Sequence, residues 1–300
     1  MPPFPGAAQA PAPTISRPGR LAAEPVRPAR DPGADHSLRG RCVVFLHAHP
    51  DDEAIFTAAT MHRLARRGAR VVLVTATGGD LGPALRPLRS GQALADVRRT
   101  ELEQACALLG VARLVLLGRR DSGMPGWPDN GHPDALARAD VPALARNLAR
   151  LCAAEGAEAL VHYDPGGIYP HPDHLAVHRI GVAAAGHAGI AGYQATVDRD
   201  RIGGRHLVGR AAAGLPRPAG EQSGPPAAPR LGRHRDEVTT VVAADAADLA
   251  AKRAAMAAHA SQIDRAALRR RGFAETYGLE WYVGPGIPGL LDSLSPAVPA

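Results

Sequence analysis

Residues 42–53 read CVVFLHAHPDDE, and this stretch decides the fold. Its first half, Cys42 to Leu46, is a short apolar run of the kind that forms a strand buried on both faces of a parallel sheet. Its second half is polar and leads into a helical pattern that we expect over about residues 52–67. A buried strand followed directly by a helix begins a βαβ unit. The stretch therefore predicts an α/β protein.

The same alternation of strand and helix recurs along the chain. Further strands are predicted at Arg70–Thr75, Arg113–Leu117, Ala159–His162 and Glu237–Val242, and further helices at about 94–109, 141–154, from Asp173 onward and 248–270. Predominantly apolar strands need cover on both faces, and the helices between them provide it. We therefore predict a single domain with a doubly wound, mostly parallel, Rossmann-like sheet and helices on both of its faces.

Two proline-rich stretches lack any strand or helix pattern. Residues 1–40 are rich in Pro, Ala and Arg, and we expect a disordered tail there. Residues 203–233 contain five prolines, and they predict a flexible excursion from the domain. The domain itself is expected to span residues 41–300, with the excursion inside it.

The net charge of +6 would suit a nucleic-acid-binding protein only if it lay on the folded core. Residues 1–41 carry a balance of +3 and residues 199–236 a balance of +5, so the basic charge is confined to the two proline-rich regions. The remainder of the chain is slightly acidic. We therefore expect no nucleic-acid partner.

The cysteines and the apolar runs predict a compartment. Cys42, Cys106 and Cys152 lie in apolar segments without close pairing, as free thiols in a reducing compartment do. The first forty residues lack the apolar run of a signal peptide, and no stretch approaches the roughly 18 apolar residues of a membrane span. We expect a cytoplasmic protein without a membrane partner; its oligomeric state is not indicated.

Two of the three His-Pro-Asp units in the chain closely follow predicted strands. His49-Pro50-Asp51 comes directly after the first strand, and His171-Pro172-Asp173 comes shortly after the fourth. In open α/β sheets, ligands bind outside the carboxyl ends of the strands, at the point where the strand order reverses. If the first and fourth strands flank that point, the two units face each other across one crevice.

These residue types suit a catalytic metal site. Such a site needs about three nitrogen or oxygen ligands and one open position for water. His49 and Asp52 can supply two ligands, and His171 or His174 can supply the third. Asp51 is then a spare carboxylate that can act as general base for a metal-activated water, while the other histidine stabilises charge or protonates the leaving amine. Zinc is the expected cofactor, although ferrous iron suits the same ligands.

Each unit taken alone has an ordinary explanation. Proline and aspartate are common in turns and at helix starts, so either His-Pro-Asp could serve only to cap a helix. Two such units on one predicted ligand-binding edge favour the metal site instead.

Four motifs resemble those of the LmbE-like (PIG-L) superfamily of zinc-dependent N-deacetylases, which includes deacetylases and amidases of the mycothiol pathway. The matching stretches are Ala48–Glu53 (AHPDDE), Arg119–Met124 (RRDSGM), Tyr163–His174 (YDPGGIYPHPDH) and Lys252–Gln262 (KRAAMAAHASQ). They are spread over most of the chain after residue 40. The first and third are specific to the family, and the other two support them.

The resemblance implies a role for each motif residue. It implies that His49, Asp52 and His174 hold the zinc ion and that Asp51 is the general base. By the same resemblance, the remaining catalytic residues are His171 as acid or charge stabiliser, Asp173 as the group that orients His171, and Tyr169 as the group that polarises the carbonyl.

The resemblance also suggests substrate contacts. Arg98 aligns with an arginine that binds the sugar or its polar appendage, and an exposed helix arginine is the alternative. Asp121, after the third strand, is placed to hold sugar hydroxyls, and capping of a turn is its alternative. His259 lies in the last motif, and the sequence gives no mechanism for it.

One loop departs from the mycothiol-type pattern. Those relatives usually carry Asn-Gly-Gly before the tyrosine, whereas this chain has Gly166-Gly167-Ile168. The resemblance therefore supports the reaction more strongly than it supports one substrate.

The leading hypothesis is a metal-dependent hydrolase that removes an N-acetyl group from an N-acetylglucosaminyl-type small molecule. One alternative is an amidase that acts on a mycothiol-type thiol S-conjugate. Another is a non-catalytic sugar- or nucleotide-binding α/β module that keeps the motifs as helix caps.

Overall fold

The computed structural model describes residues 36–202, 231–269 and 271–294 of the chain. The strands are β1 Cys42–His47, β2 Arg70–Thr77, β3 Arg113–Arg119, β4 Ala159–Tyr163, β5 Ala191–Thr196, β6 Thr240–Ala243 and β7 Leu279–Val283. The helices are α1 Ala58–Arg66, α2 Leu94–Leu109, α3 Val141–Glu155, α4 Pro172–Ala188, α5 Arg199–Ile202, α6 Ala246–Ala258 and α7 Phe273–Tyr277. A π-helical turn, Glu53–Thr57, precedes α1, and 3₁₀ turns lie at Pro128–Gly131, Leu136–Arg138, Arg235–Glu237, Ala267–Arg269 and Asp292–Leu294.

The strands form one sheet in the order β3-β2-β1-β4-β5-β7-β6. β1 is parallel to both of its neighbours, and Val43 pairs with Val71 on one side and with Ala159 on the other. The chain builds outward from β1 to β3 and then returns to β4 on the far side of β1, so the strand order reverses between β1 and β4. The loops after these two strands therefore flank one crevice, and the predicted doubly wound, mostly parallel sheet is confirmed.

The helices cover the sheet in two groups. α1, α2 and α6 contact one another, and α3 packs along α4. Right-handed crossovers place successive helices of this strand order on both faces, which is why every residue of β1 is buried. β3 is partly exposed, because it has a neighbour on only one side.

Two strands were not predicted from the sequence. β5 contains Gly192 and Gln194 and has no continuous apolar run, yet it pairs in parallel with β4. β7 pairs antiparallel with both β5 and β6, so the sheet is mixed at this end. The predicted strand at Glu237–Val242 is shifted, because residues 235–237 form a 3₁₀ turn before β6 begins at Thr240.

Two predicted helices differ from the observed ones. The helix expected over about 52–67 begins instead as the π-helical turn and becomes α-helical only after Thr57, whose φ of −137° interrupts it. The long helix expected over about 248–270 ends at Ala258. It ends there because the next residues bond to other elements: His259 contacts Glu53, and Ser261 donates to Glu101.

Glu280 of β7 completes the start of α1. Its carboxylate accepts the backbone N–H groups of Ala59 and Thr60, each at 2.8 Å. The interruption at Thr57 leaves these N–H groups in need of an acceptor. Lys252, the single lysine of the chain, lies 2.6 Å from Glu280, and both side chains are 1% exposed. The last strand therefore fixes the helix that follows the first His-Pro-Asp unit.

The predicted tail and excursion lie mostly outside the described residues, which omit 1–35 and 203–230. Residues 36–40 belong to the fold instead of the tail: Leu38 is buried in the core, and its N–H donates to Arg67 O at 2.9 Å. Within the described part of the chain, no helix combines the length and apolar content needed to cross a membrane.

Candidate metal centre and active site

Three of the predicted ligands meet in the crevice between β1 and β4. Asp52 Oδ2 lies 3.3 Å from His49 Nδ1 and 3.4 Å from His174 Nε2. The ligand atoms of all three residues lie within 4.8 Å of one another, and all three side chains are buried. The loop after β1 supplies His49 and Asp52, and the first turns of α4 supply His174. The structure thus brings together the three ligands that the sequence predicts from the two motifs.

His174 presents an unprotonated nitrogen to this centre. Its Nδ1 contacts the Gly167 carbonyl oxygen at 2.8 Å, so Nδ1 carries the hydrogen and donates it. Nε2 is then a lone-pair donor, and it is buried without a hydrogen-bond partner. A buried polar atom without a partner costs free energy, and a bound cation would remove that cost. The donor set of two imidazoles and one carboxylate also suits zinc or ferrous iron.

His49 is held in the matching orientation. Its Nε2 donates to Asp173 Oδ2 at 3.2 Å, which leaves Nδ1 free to face Asp52. Asp173 in turn accepts the Ser122 backbone N–H at 3.0 Å and the Ser122 hydroxyl. A carboxylate behind a ligand histidine fixes the tautomer and raises the basicity of the ligand.

The electrostatics of the centre favour an ionised Asp52. Burial raises the pKa of Asp52, but the adjacent side chains of His174 and His49 outweigh burial and hold that pKa well below its usual value. Burial lowers the pKa of His49, but its bonds to Asp173 and Asp52 outweigh burial and raise that pKa. Protons and a cation therefore compete for His49, and acid should weaken metal binding.

A second group of potential ligands shares His49 and lies beside the first. It consists of His49, Asp121, His171 and Asp173, all buried. The carboxylate oxygens of this group already accept hydrogen bonds. Asp121 accepts the N–H groups of Gly123 and Leu81, and Asp173 accepts the N–H and the hydroxyl of Ser122. The second group is therefore support for His49, whereas the first group has an unpartnered nitrogen.

Asp51 lies beside the centre with an unusual backbone. Its φ is 111°, and its N–H donates to Glu53 Oε2 at 2.9 Å. Its side chain is 18% exposed, compared with 5% for Asp52, so it alone of the two reaches the open part of the crevice. Burial raises the pKa of Asp51 to about 6, although the charge of Arg98 opposes the rise. A carboxylate with a pKa near the operating pH is suited to general base catalysis.

Arg98 contacts the Asp51 loop. It is 4% exposed, so the alternative of an exposed helix arginine is wrong. Its guanidinium donates to Gly79 O at 2.7 Å and to Pro50 O, and its Nη2 lies 3.3 Å from Asp51 Oδ2. The predicted contact with substrate remains a prediction, and the observed contacts hold the loop and the carboxylate of Asp51.

His171 is the N-cap residue of α4. Its Nδ1 accepts the backbone N–H of Asp173 at 3.1 Å, so the neutral ring carries its hydrogen on Nε2. Burial lowers the pKa of His171 to about 2, and the neighbouring imidazoles of His49 and His174 add to the effect. A neutral ring can donate a hydrogen bond from Nε2, which suits the role of charge stabiliser; the role of acid or charge stabiliser remains a prediction.

Tyr169 packs against His174, one of the predicted ligands. The two ring centroids lie 4.3 Å apart, and His171 lies 6.1 Å from the tyrosine ring. Burial, followed by the charges of Asp52 and Asp51, raises the pKa of Tyr169 well above its usual value. The phenol therefore keeps its proton and can donate a hydrogen bond, as the resemblance implies for this position.

Two carboxylates have different partners from those expected. Asp173 was expected to orient His171, but its carboxylate contacts His49 and Ser122, and only its backbone N–H reaches His171. Asp121 was expected to hold sugar hydroxyls. Its two oxygens accept the N–H groups of Gly123 at 2.8 Å and Leu81 at 3.2 Å, as the capping alternative expects, and the contact with sugar hydroxyls remains a prediction.

Sequence reasoning missed several residues that support the site. Ser122 holds Asp173, the Gly167 carbonyl holds His174, and the Tyr163 hydroxyl accepts the Ala48 N–H at 3.1 Å. Glu53 had a usable signal, because it is the last residue of AHPDDE. Ser122, Tyr163 and Gly167 also lie in matched motifs, but the sequence does not show their contacts, because the partner is distant in the sequence or the contributing atom belongs to the backbone.

Comparison with known proteins agrees with the family resemblance of the four motifs. The family model described as GlcNAc-PI de-N-acetylase (PIG-L) matches residues 44–185. A 1D-myo-inositol 2-acetamido-2-deoxy-α-D-glucopyranoside deacetylase of Thermomonospora curvata is 38% identical over 84% of this chain and 94% of its own. Two deacetylases of the same description, from Catenulispora acidiphila and Thermobifida fusca, are each 44% identical, and the matches span about half of their length, 56% and 55%.

Solved structures share the fold at low sequence identity. A deacetylase of the teicoplanin biosynthetic pathway, in complex with teicoplanin, superposes with a TM-score of 0.53 at 16% identity and covers 82% of this chain and 100% of its own. The deacetylase of the A40926 pseudoaglycone gives 0.50 at 18% identity, covering 73% and 81%.

Proposed function

Because this chain belongs to the GlcNAc-PI de-N-acetylase (PIG-L) family, we propose that it hydrolyses the acetamide of an N-acetylglucosaminyl small molecule. The observation that carries the proposal is the buried set of His49, Asp52 and His174 with Asp51 beside it. The inositol-linked N-acetylglucosamine named for the Thermomonospora curvata relative is the first substrate to consider, because that relative aligns with this chain over 94% of its length.

The proposed ligands of the metal ion are His49, Asp52 and His174, with zinc as the leading candidate and ferrous iron as the other. When bound, such an ion lowers the pKa of a water molecule and polarises the amide carbonyl. The remaining steps are assigned to side chains of the protein.

Asp51 is proposed to move the proton. It takes a proton from the attacking water, and its pKa of about 6 leaves it ionised at neutral pH. As the C–N bond breaks, the same carboxyl group returns the proton to the nitrogen. The water oxygen stays with the acetate, and the amine leaves with its electron pair. Neutral His171, whose Nδ1 accepts a backbone N–H, is poorly placed to share this task.

Tyr169 and His171 are proposed to stabilise the carbonyl oxygen. That oxygen gains negative charge as the water attacks, and a phenol O–H and an imidazole Nε2–H are both donors for it. Donors that are already oriented before the reaction are worth more than the same donors in water, because they need no reorganisation. The packing of both rings against His174 supports this assignment.

The test compares the zinc-loaded wild type with Asp51→Asn on a panel of N-acetylglucosaminyl compounds that includes the inositol-linked one. Free amine and acetate are measured together, because a deacetylase releases them in equal amounts. We expect turnover by the wild type and almost none by the variant, with equal metal content in both. Equal turnover by the two proteins would contradict the role of Asp51. Absence of turnover by metal-loaded wild type across the panel would contradict the substrate class.

A further inference from the structure

Asp51 has a backbone conformation that L-residues rarely adopt. Among the described residues, only Asp51 and Ile168 are non-glycine residues with positive φ, at 111° and 67°. Such a conformation persists only where neighbouring groups over-determine it, and residues of this kind cluster at functional sites. We therefore identify the groups that hold Asp51 in this conformation.

One clamp acts from α2. Arg98 donates to Pro50 O, the carbonyl just before Asp51, and its Nη2 lies 3.3 Å from the Asp51 carboxylate. It also donates to Gly79 O at 2.7 Å, so it is anchored to the loop after β2. This clamp grips the Asp51 side chain and the peptide on its N-terminal side.

A second clamp acts through Glu53. One oxygen of Glu53 accepts the Asp51 N–H at 2.9 Å, and the other lies 2.5 Å from His259 Nε2. Glu53 and His259 are both fully buried. His259 holds one oxygen of the Glu53 carboxylate and so fixes the orientation in which the other oxygen accepts the Asp51 N–H.

His259 is itself fixed by the end of α6. Its carbonyl accepts the N–H groups of Gln262 at 3.0 Å and Ile263 at 2.7 Å. Ser261 donates its N–H and its hydroxyl to Glu101 of α2, at 2.8 Å and 2.7 Å. The C-terminal motif is thus tied to the same helix that carries Arg98, and the two clamps share one support.

We infer that His259 is a positioning residue that acts through Glu53 to hold Asp51 in its positive-φ conformation, with the carboxylate facing the crevice. The expected effect on kcat rests on the proposed function, whereas the expected effect on the φ of residue 51 does not. The competing explanation is that Glu53 and His259 form a buried pair that only stabilises the fold. The two explanations differ in what happens at residue 51 when the pair is broken.

The variants to compare are His259→Leu, which removes the partner of Glu53, and His259→Gln, whose side-chain amide can still donate to it. His62→Leu is the matched control, because His62 also pairs with a carboxylate between α1 and α6, at 2.8 Å from Asp248, and has no bond to the Asp51 loop. If His259→Leu does not fold, the Gln variant and Glu53→Gln carry the same comparison.

We expect His259→Leu to lower kcat about 10- to 100-fold with little change in KM, because a displacement of about 1 Å at a reacting group has effects of this order. His259→Gln should recover most of that loss, and His62→Leu should match the wild type. Metal content should be equal in all of them. In an Asp51→Asn background, His259→Leu should cause no further loss, since both changes act on the same group.

Crystal structures of the variants test the geometry without any substrate. We expect the φ of residue 51 to leave the positive region in His259→Leu and to stay there in His62→Leu. An unchanged φ with unchanged kcat would overturn the inference, and so would a kcat loss that merely follows loss of metal. If the wild type turns over no substrate, the structures still decide the role of His259, and only the proposed function fails.

Discussion

The His-Pro-Asp units at residues 49–51 and 171–173, here the first and second unit, have the same three residues and different backbones. In the first unit, Asp51 has a φ of 111° and leads into a π-helical turn. In the second unit, His171 is an N-cap residue with a φ of −81°, and Pro172 is the first residue of a regular α-helix. Proline at the first helical position is common, because its missing N–H has no helical acceptor to lose.

The backbone difference assigns different tasks to the two aspartates. The Asp51 side chain is 18% exposed and has one charged partner, Arg98. The Asp173 side chain is fully buried and accepts bonds from His49 and Ser122. A carboxylate is free to transfer protons only if its lone pairs are not already engaged. The comparison teaches that the residue after His-Pro becomes a candidate base or a rigid support according to the turn in which it lies.

The largest difference between the two units should be seen in turnover. Asp51→Asn keeps the shape of the side chain but removes the base, and we expect kcat to fall about 100- to 10,000-fold. Metal content should not change, because Asp51 is not among the proposed ligands. Steady-state kinetics with metal analysis of the same samples checks this. If Asp51→Asn lost its metal, the two aspartates would not have separate tasks.

Asp173→Asn should instead weaken metal binding. The amide oxygen can accept one bond but carries no negative charge, and the amide NH₂ cannot accept, so the support and basicity of His49 are reduced. Loss of such a supporting partner typically costs about 10- to 100-fold in metal affinity. Competition with a chelator of known affinity measures this directly. Equal metal affinity of Asp173→Asn and Asp51→Asn would erase the distinction between the units.

The pH dependence of kcat/KM should be set by the ionisation of Asp51 and by the charge of Arg98. Burial raises the pKa of Asp51 to about 6 and Arg98 opposes the rise, so kcat/KM should fall as the pH drops below about 6 and the base becomes protonated. Arg98→Met removes a positive charge that favours the ionised form, and the acid limb should move to higher pH by about one unit. Arg99→Met is the control, since Arg99 is exposed on the same helix. An acid limb that did not move in Arg98→Met would contradict the assignment.

The smallest expected effect is on the free energy of unfolding, where the difference between the Gly and Ala variants should have opposite signs at positions 51 and 173. At Asp51, with positive φ, the Gly variant should be more stable than the Ala variant by about 1 kcal/mol. At Asp173, in the first turn of α4, the Gly variant should be less stable than the Ala variant by up to about 1 kcal/mol. Urea unfolding of the metal-free proteins measures both pairs. The same sign at both positions would show that the backbones do not differ as described.

Much of the site could be predicted because one rule of parallel sheets relates sequence to space. The apolar runs that became β1 and β4 were visible in the sequence, and residues that follow neighbouring parallel strands meet at one edge. This places His49, Asp52 and His174 together without knowledge of any side-chain contact. The family resemblance then distinguishes His174 from His171, which spacing alone leaves open.

The remainder depends on long-range contacts that no local pattern encodes. Asp173 contacts Ser122 and His49 instead of its sequence neighbour His171, because α4 turns its first carboxylate toward β1 and the loop after β3. The helix expected to continue to residue 270 stops at Ala258 because His259 and Ser261 bond to other elements. Its alanine-rich sequence carries no stop signal at that point. Tertiary bonds override local propensity in both cases.

The role of Glu280 makes assembly of the site depend on a residue that is synthesised late. The ribosome makes both His-Pro-Asp units before it makes β7, yet the first N–H groups of α1 are satisfied only by the carboxylate of Glu280. A nascent chain that has not yet emerged beyond this residue leaves those groups unpaired beside the motif that it already carries. Translation products cut short before β7 should therefore contain every proposed ligand and still fail to build the centre, so that hydrolytic competence arrives only after β7 has been made.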